Sequence, residues 1–494
     1  MKPGALLRLA LAGSRTDTLR VVLTAVSAAL AMLAILAAAT VVAIPELGSS
    51  PDDAAAWNVQ YTVAYLREPG LRPGVTVALV LLVIPALVLA AQCGRLGAPA
   101  RDRRLASIRL AGATPRQTMT LVAVETGVAS ALGALIALGT YLLGRRLLHN
   151  PGPDGRLVLP TDVLPPWWVL ALLTASLPLL ATGIAVVALR RVSVGPFGVV
   201  RRQRAESPRI WPGLLVMPGI AVIAVLEPIS AYADNRDVAL PAAVFLGLVA
   251  TGALMTVIGV VFGTGWISHR AGQTLARYAR RAPAMLAGRR LMADPWAGSR
   301  AFAVVLTCVA FGAAAAGVKA AFAANFAVED EANRLTAEAN GEEFVPRTDL
   351  DFYYNAFDLI NVAVAVAALI AAGGLLVTIA EGIVSRRRTY AHLSASGVPR
   401  SVLRRATMWQ ALAPVVPASV VAAVAGAALP RALFGSSVTG GGYDSVPEVT
   451  LSVPIPFGDL AMLSGGAVVV VAAVVMVSLL FLRPSTHPSE LRTG

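Results

Sequence analysis

The sequence predicts an all-α integral membrane protein. Its ten transmembrane helices form two parallel four-helix repeats joined by a two-helix linker, with the N- and C-termini in the cytoplasm. Three observations predict this. Hydrophobic residues make up 56% of 494, charged residues only 14%, and the mean hydropathy is +0.71; a soluble domain carries about 25% charge. Basic residues alternate between successive segments that join the apolar runs. Finally, a basic, glycine-containing segment occurs twice, each time between two such runs.

Ten apolar stretches reach the roughly 20 residues that a helix needs to cross a bilayer. They fall near 20–44, 74–94, 119–143, 167–189, 211–230, 240–266, 301–325, 356–384, 406–430 and 459–482. The first follows a basic start (Lys2, Arg8, Arg15, Arg20). It exceeds the 7–15 residues of a secretory apolar region, so it reads as a span. Residues 5–11 ahead of it suit a short amphipathic helix lying on the membrane surface. The fifth stretch carries Pro212, Pro218 and Pro228, which membrane helices tolerate when neighbours satisfy the freed carbonyls.

With the N-terminus inside, the inward segments hold 31 of the 41 Lys and Arg, and the other side holds 21 of the 28 Asp and Glu. The positive-inside rule then places both termini in the cytoplasm. The outward segments are short: 326–353, acidic and partly helical, then 47–73, and 433–458, which is rich in Gly and Pro. None supplies the 100 or so residues of a typical folded domain.

Composition also excludes functions. The net charge is +13, but lysine occurs only at Lys2 and Lys319, and the arginines cluster beside the spans. Membrane lipids with anionic headgroups fit that placement, and nucleic acid does not. Cys93 and Cys308 lie in apolar runs, and His149, His269, His392 and His487 share no ligand spacing, so no metal site is expected. No paired carboxylates or nucleophile–base set points to chemistry on a substrate. A nucleotide loop of the form GxxxxGK[ST] is missing. The nearest approach, Gly312 and Gly317 with Lys319, has the lysine one place late and reads as a close helix contact.

The duplicated segment reads RDRRLASIRLAGATPR at 101–116 and RRRTYAHLSASGVPR at 386–400. Superposing Gly112 on Gly397 places Arg101 on Arg386, Arg103 on Arg388 and Glu125 on Gln410 without a gap. Similar small-residue, basic lead-ins (7–20 and 284–300) precede the first and seventh spans. Spans one to four and seven to ten are therefore two units of the same orientation. The expected organisation is a first unit at 1–200 (motif core 74–195), a linker at 201–282 with spans five and six, and a second unit at 283–494 (motif core 356–485). In the first copy Leu105, Ile108 and Ala111 recur at helical spacing, then Gly112 offers a left-handed stop and Pro115 follows. Tyr390, Leu393 and Ser396 precede Gly397 and Pro399 in the same way.

On these residues the chain resembles the FtsX-like permeases, membrane subunits of the ABC-transporter class that includes MacB-type and Bce-type systems. The first copy carries the resemblance in Arg103, Arg104, Ile108, Arg109, Gly112, Ala113, Thr114, Pro115, Arg116 and Glu125. The second does so in Arg387, Arg388, Leu393, Gly397, Pro399, Arg400 and Gln410. The acidic residue usual in the family's charged run is Arg104 in one copy and Thr389 in the other. The large domain that Bce-type permeases carry between spans seven and eight is here a short acidic segment.

The resemblance implies a permease in a bacterial plasma membrane, working with a cytoplasmic ABC ATPase that is itself a homodimer. It has no cofactor of its own, because ATP is bound by the partner. It further implies that Arg104, Leu105, Ile108, Gly112, Pro115, Arg116, Tyr390, Leu393, Gly397, Pro399 and Arg400 form coupling segments for that ATPase. Glu125 and Glu381 are the intramembrane polar candidates, with Glu125 expected to couple helices. The expected cargo is hydrophobic or amphipathic: a lipid, lipoprotein or antimicrobial compound. An alternative is a mechanotransmitter acting on an extracytoplasmic partner.

Overall fold

A computed structural model describes residues 15–45, 60–67, 72–93, 106–108, 110, 112–192, 208–226, 228–229, 242–341, 343–344, 350–441 and 447–481. The chain divides into two compact units, one of residues 1–202 and 369–385, the other of 203–368 and 386–494. Residues 5–11 and Glu227 lie outside the described set.

The first unit contains α1 (Arg15–Val42), the single turn α2 (Ala64–Arg67), α3 (Arg72–Leu81), α4 (Val83–Cys93), α5 (Pro115–Leu147) and α6 (Trp167–Val192). The second expected span is thus two helices that meet at Leu82. Pro85 explains the break, since it has no N–H to donate to the carbonyl of Leu81. Ala31, Met32, Leu36, Ala86, Ala134, Ala137, Leu170 and Leu177 form the core of this unit.

The second unit contains a 3-10 turn (Gly213–Leu215), α7 (Val216–Ala224), α8 (Ala242–Tyr278), α9 (Ala282–Ala293) and α10 (Pro295–Asn340). It continues through α11 (Leu350–Ser385, whose residues 369–385 group with the first unit) to α12 (Arg387–Ala395) and α13 (Arg400–Phe434). The strands β1 (Ser437–Gly440) and β2 (Val449–Ser452) and the helix α14 (Phe457–Ser478) complete it.

Among the described residues seven helices are long and apolar enough to cross a membrane, and two shorter apolar helices run over Trp167–Gly183 and Gly213–Ala224. Among the described residues the fifth expected span is interrupted, with a 3-10 turn, the short α7 and helical residues again at 226 and 228–229, in keeping with its prolines. By contrast α13 runs unbroken through Pro414, Pro417 and Pro430.

Each unit contains a close crossing of two long helices, α1 with α5 in the first and α10 with α13 in the second. In the first, Gly133 of α5 lies so near Ala25 of α1 that an added Cβ would strike the Ala25 carbonyl. In the second, Gly426 of α13 stands in the same relation to the carbonyl of Ala310 on α10. Helices in lipid gain no hydrophobic drive to associate, so close backbone approach through small residues is what packs them. Gly312 and Gly317, the near-miss nucleotide loop, serve this purpose: a Cβ on them would meet Leu463 and Pro430.

Beyond the spans each unit carries a small cap. In the first, Tyr61 bridges to Leu157 and its hydroxyl donates to Asp162 Oδ1 at 2.9 Å. The buried Arg72 guanidinium donates to the carbonyls of Ile44, Pro45, Leu66 and Arg67. In the second, α10 runs for 46 residues, about 70 Å at 1.5 Å per residue, well beyond the roughly 30 Å of hydrocarbon. The hairpin β1–β2, paired from Ser437↔Ser452 to Gly440↔Val449, packs on it through Val438, Val453, Ala321 and Ala324. A hairpin with open edges cannot sit in hydrocarbon. Phe322 of α10 meets Phe357 of α11 and Phe434 of α13 edge-on, at centroid distances of 5.9 and 6.1 Å.

Two measurements check this architecture. Gly426→Ala should lower the thermal midpoint and the folded yield markedly, as overpacking costs typically 1–3 kcal/mol. Gly373→Ala, where an added Cβ meets nothing within 4 Å, should be neutral or stabilising by about 0.5–1 kcal/mol. The Tyr61 phenol is pushed up from 10.0 to about 12, first by burial and then by its bond to Asp162. A raised value means the folded state holds the proton, so its stabilising contribution is complete below pH 10 and lost as pH rises toward 12. The ultraviolet phenolate titration of the wild type minus that of Tyr61→Phe should show one late-titrating group.

Candidate functional site

The duplicated segment has the same local geometry in both copies wherever it is described. Gly112 has φ +94° and Gly397 φ +90°. The Ala113 N–H donates to the Ile108 carbonyl at 3.2 Å, and the Val398 N–H donates to the Leu393 carbonyl at 3.0 Å. These are matching positions in the Gly112–Gly397 register. Each bond is the six-residue closure of a helix that ends on a left-handed glycine. No Cβ contact constrains either glycine, so backbone conformation alone requires it.

The next helix restarts at once. Thr114 caps α5 in a reciprocal pair with Gln117: its Oγ1 accepts the Gln117 N–H and Gln117 Oε1 accepts the Thr114 N–H. Pro115 takes the first helical position, where its missing N–H costs nothing. Pro399 occupies the equivalent cap of α13 without a side-chain bond. The Thr114–Gln117 box follows a readable S/T-x-x-E/Q pattern that the sequence reading passed over.

Arg104 and Leu105 lie outside the described residues, and Ile108 is half-buried. Arg116 and Arg400 are exposed in the first turn of their helices. The macrodipole disfavours cations there by about 0.3–1 kcal/mol, so helix stability does not account for them.

In the second copy the segment is the nine-residue helix α12. Tyr390, placed by spacing on a stripe for a partner, is instead 3% exposed and used within the chain. Arg290 of α9 donates to its hydroxyl at 3.0 Å and lies 4.9 Å over its ring, while Arg386 pairs with Asp294 at 3.9 Å. Ala391 is also buried and Leu393 is half-buried. The outward side of α12 carries Thr389, His392 and Ala395, with Ser396, Pro399 and Arg400 exposed beyond it. In the first copy the exposed apolar residue is Leu110, at 90%. It aligns with Ala395 and stands off the expected Leu105–Ile108–Ala111 stripe.

Glu125 of α5 is buried and forms an ion pair with Arg20 of α1. It therefore joins α1 to α5. Sequence singled out Glu125 but not its partner, since residues so far apart along the chain carry no periodic signal. Glu381, on the part of α11 that groups with the first unit, is partly buried. No group of His, Cys, Asp and Glu among the described residues could hold a metal.

The FtsX-like permease C-terminal family matches this chain twice, at residues 75–194 and 361–486, together about half of it. The chain belongs to the FtsX-like permease family. The first match runs from α3 to α6 and the second from α11 to just past α14, so each contains one glycine-terminated segment. Comparison with curated proteins gives no match. Such permeases are transporter components of the membrane rather than enzymes in themselves.

The ion pair makes a clear prediction. Glu125→Ala leaves the Arg20 charge buried alone and should destabilise by about 3–5 kcal/mol. The double variant Arg20→Met, Glu125→Leu should recover most of that loss in thermal unfolding of the purified protein.

Proposed function

We propose that this chain is the permease subunit of an ABC transporter, with ten spans as four, two and four and both termini cytoplasmic. The permease takes its drive from a separate cytoplasmic ATPase, most simply a homodimer. Its units sit at 1–200 and 283–494, with residues 201–282 as the linker. The cargo is a hydrophobic or amphipathic molecule, a lipid, lipoprotein or antimicrobial compound, exported or extracted from a bacterial plasma membrane.

The observation that carries this reading is the matched closure of the two segments, Ile108–Ala113 and Leu393–Val398. Two rigid helix–glycine–helix elbows at equivalent places let a push on the segment pass directly into α5 and α13. Arg104, Leu105, Ile108, Gly112, Pro115 and Arg116 form one coupling region, and Leu393, Gly397, Pro399 and Arg400 belong to the other. There the contact residues move to the outward side of α12, and Tyr390 fixes the helix from within. A second reading, force delivered to an extracytoplasmic partner, is favoured by the extension of α10 with its hairpin.

Leu110→Asp and Ala395→Asp should each weaken co-purification of the ATPase at least about tenfold, because 1.4 kcal/mol suffices for that factor and an unpaired buried charge costs more. Exposed Arg209→Gln should have little effect. Normal association and normal stimulated hydrolysis in both Asp variants would remove the coupling assignment.

A further inference from the structure

At the end of α5 remote from Gly112, a cavity of about 470 Å³ is lined by Leu142, Leu143, Arg145, Arg146 and Leu164. Its composition is unusual for the level at which it lies. The three leucines are 40%, 58% and 49% exposed, an apolar surface that water would not favour. Trp167 and Trp168, which open α6 just after Leu164, are 80% and 57% exposed. Exposed tryptophans of this kind mark the boundary between hydrocarbon and headgroups.

Two arginines stand at that boundary, and among the described residues neither forms an ion pair. Arg145 donates to the backbone carbonyls of Asp162, at 2.8 Å, and Val163. Carbonyls orient the guanidinium but carry no formal charge themselves. Among the described residues Arg146 makes no side-chain hydrogen bond or ion pair. The Asp162 carboxylate accepts from Gln60 Nε2 at 3.0 Å and the Tyr61 hydroxyl at 2.9 Å, and among the described residues it forms no ion pair with either arginine. These arginines also run against the charge bias of the chain, being two of only 10 basic residues on the acidic side.

We propose that this cavity binds an anionic phospholipid, its phosphate on Arg146 and Arg145 and an acyl chain along Leu142, Leu143 and Leu164. A guanidinium suits a phosphate because its parallel N–H groups can engage two oxygens at once. The leucines exclude a wholly hydrophilic anion as the preferred occupant. The site goes beyond the transport reading and rests on it only for which leaflet the cavity faces.

The test uses the full chain purified without any ATPase, so failure of the transport reading leaves its result unaffected. Retention of phosphatidylglycerol and phosphatidylcholine is measured by native mass spectrometry, alongside thermal stability in each lipid and in inorganic phosphate alone. The wild type should retain phosphatidylglycerol preferentially. Arg146→Gln should reduce that preference about tenfold, the scale of one charged hydrogen bond. Arg156→Gln, on the neighbouring loop, should not. Arg146→Ala is the substitute should Arg146→Gln fail to insert. Equal retention of the two lipids by the wild type, or an unchanged preference in the Arg146 variant, would overturn the site. Stabilisation by inorganic phosphate matching that by phosphatidylglycerol would assign the cavity to a free anion and overturn the lipid.

Discussion

The contact on which the rest of each unit depends is the glycine-to-carbonyl approach between two long helices, α1 and α5 in the first unit and α10 and α13 in the second. Gly133 against Ala25 and Gly426 against Ala310 leave no room for a side chain. In a membrane this matters more than in water, because apolar side chains gain nothing by leaving lipid for one another. Once the two helices are held at backbone distance, the start of α5 or α13 is fixed. The terminating glycine lies three residues before that start in both copies, so its position follows directly from the crossing.

The two units secure their segments by different chemistry. In the first, the lead-in and α5 are joined within the bundle by Arg20 and Glu125. A buried pair of this kind contributes little net stability but makes any other alignment expensive. In the second, Gln410 stands where Glu125 would be, and the lead-in has become the amphipathic helix α9. It clamps α12 through Arg290 on Tyr390 and Asp294 on Arg386. One half is thus locked among its spans and the other at its membrane-proximal helix.

The caps follow the same division. The first unit ties short loops together through the four carbonyls held by Arg72 and the Asp162 cluster. The second extends α10 past the membrane and covers it with a hairpin. Both solve one problem: backbone that leaves a span must find hydrogen-bond partners wherever water does not reach it.

The sequence by itself determined the membrane character, the duplication, the family and the glycine stops. These depend on composition, on charge placement and on a residue type that a left-handed φ requires locally. It also gave Glu125 as the buried polar group to watch. The break at Leu82 and the short α7 were legible only as proline warnings, since whether a helix survives a proline depends on neighbours, and α13 survives three. The hairpin escaped notice because its four-residue strands are too short for a periodic signal. Only the tertiary structure decided that Arg20 answers Glu125, that Tyr390 faces inward to Arg290, and that Leu110 stands exposed. Spacing places residues on a helix face, but which face meets the protein is set by packing between segments distant in the chain.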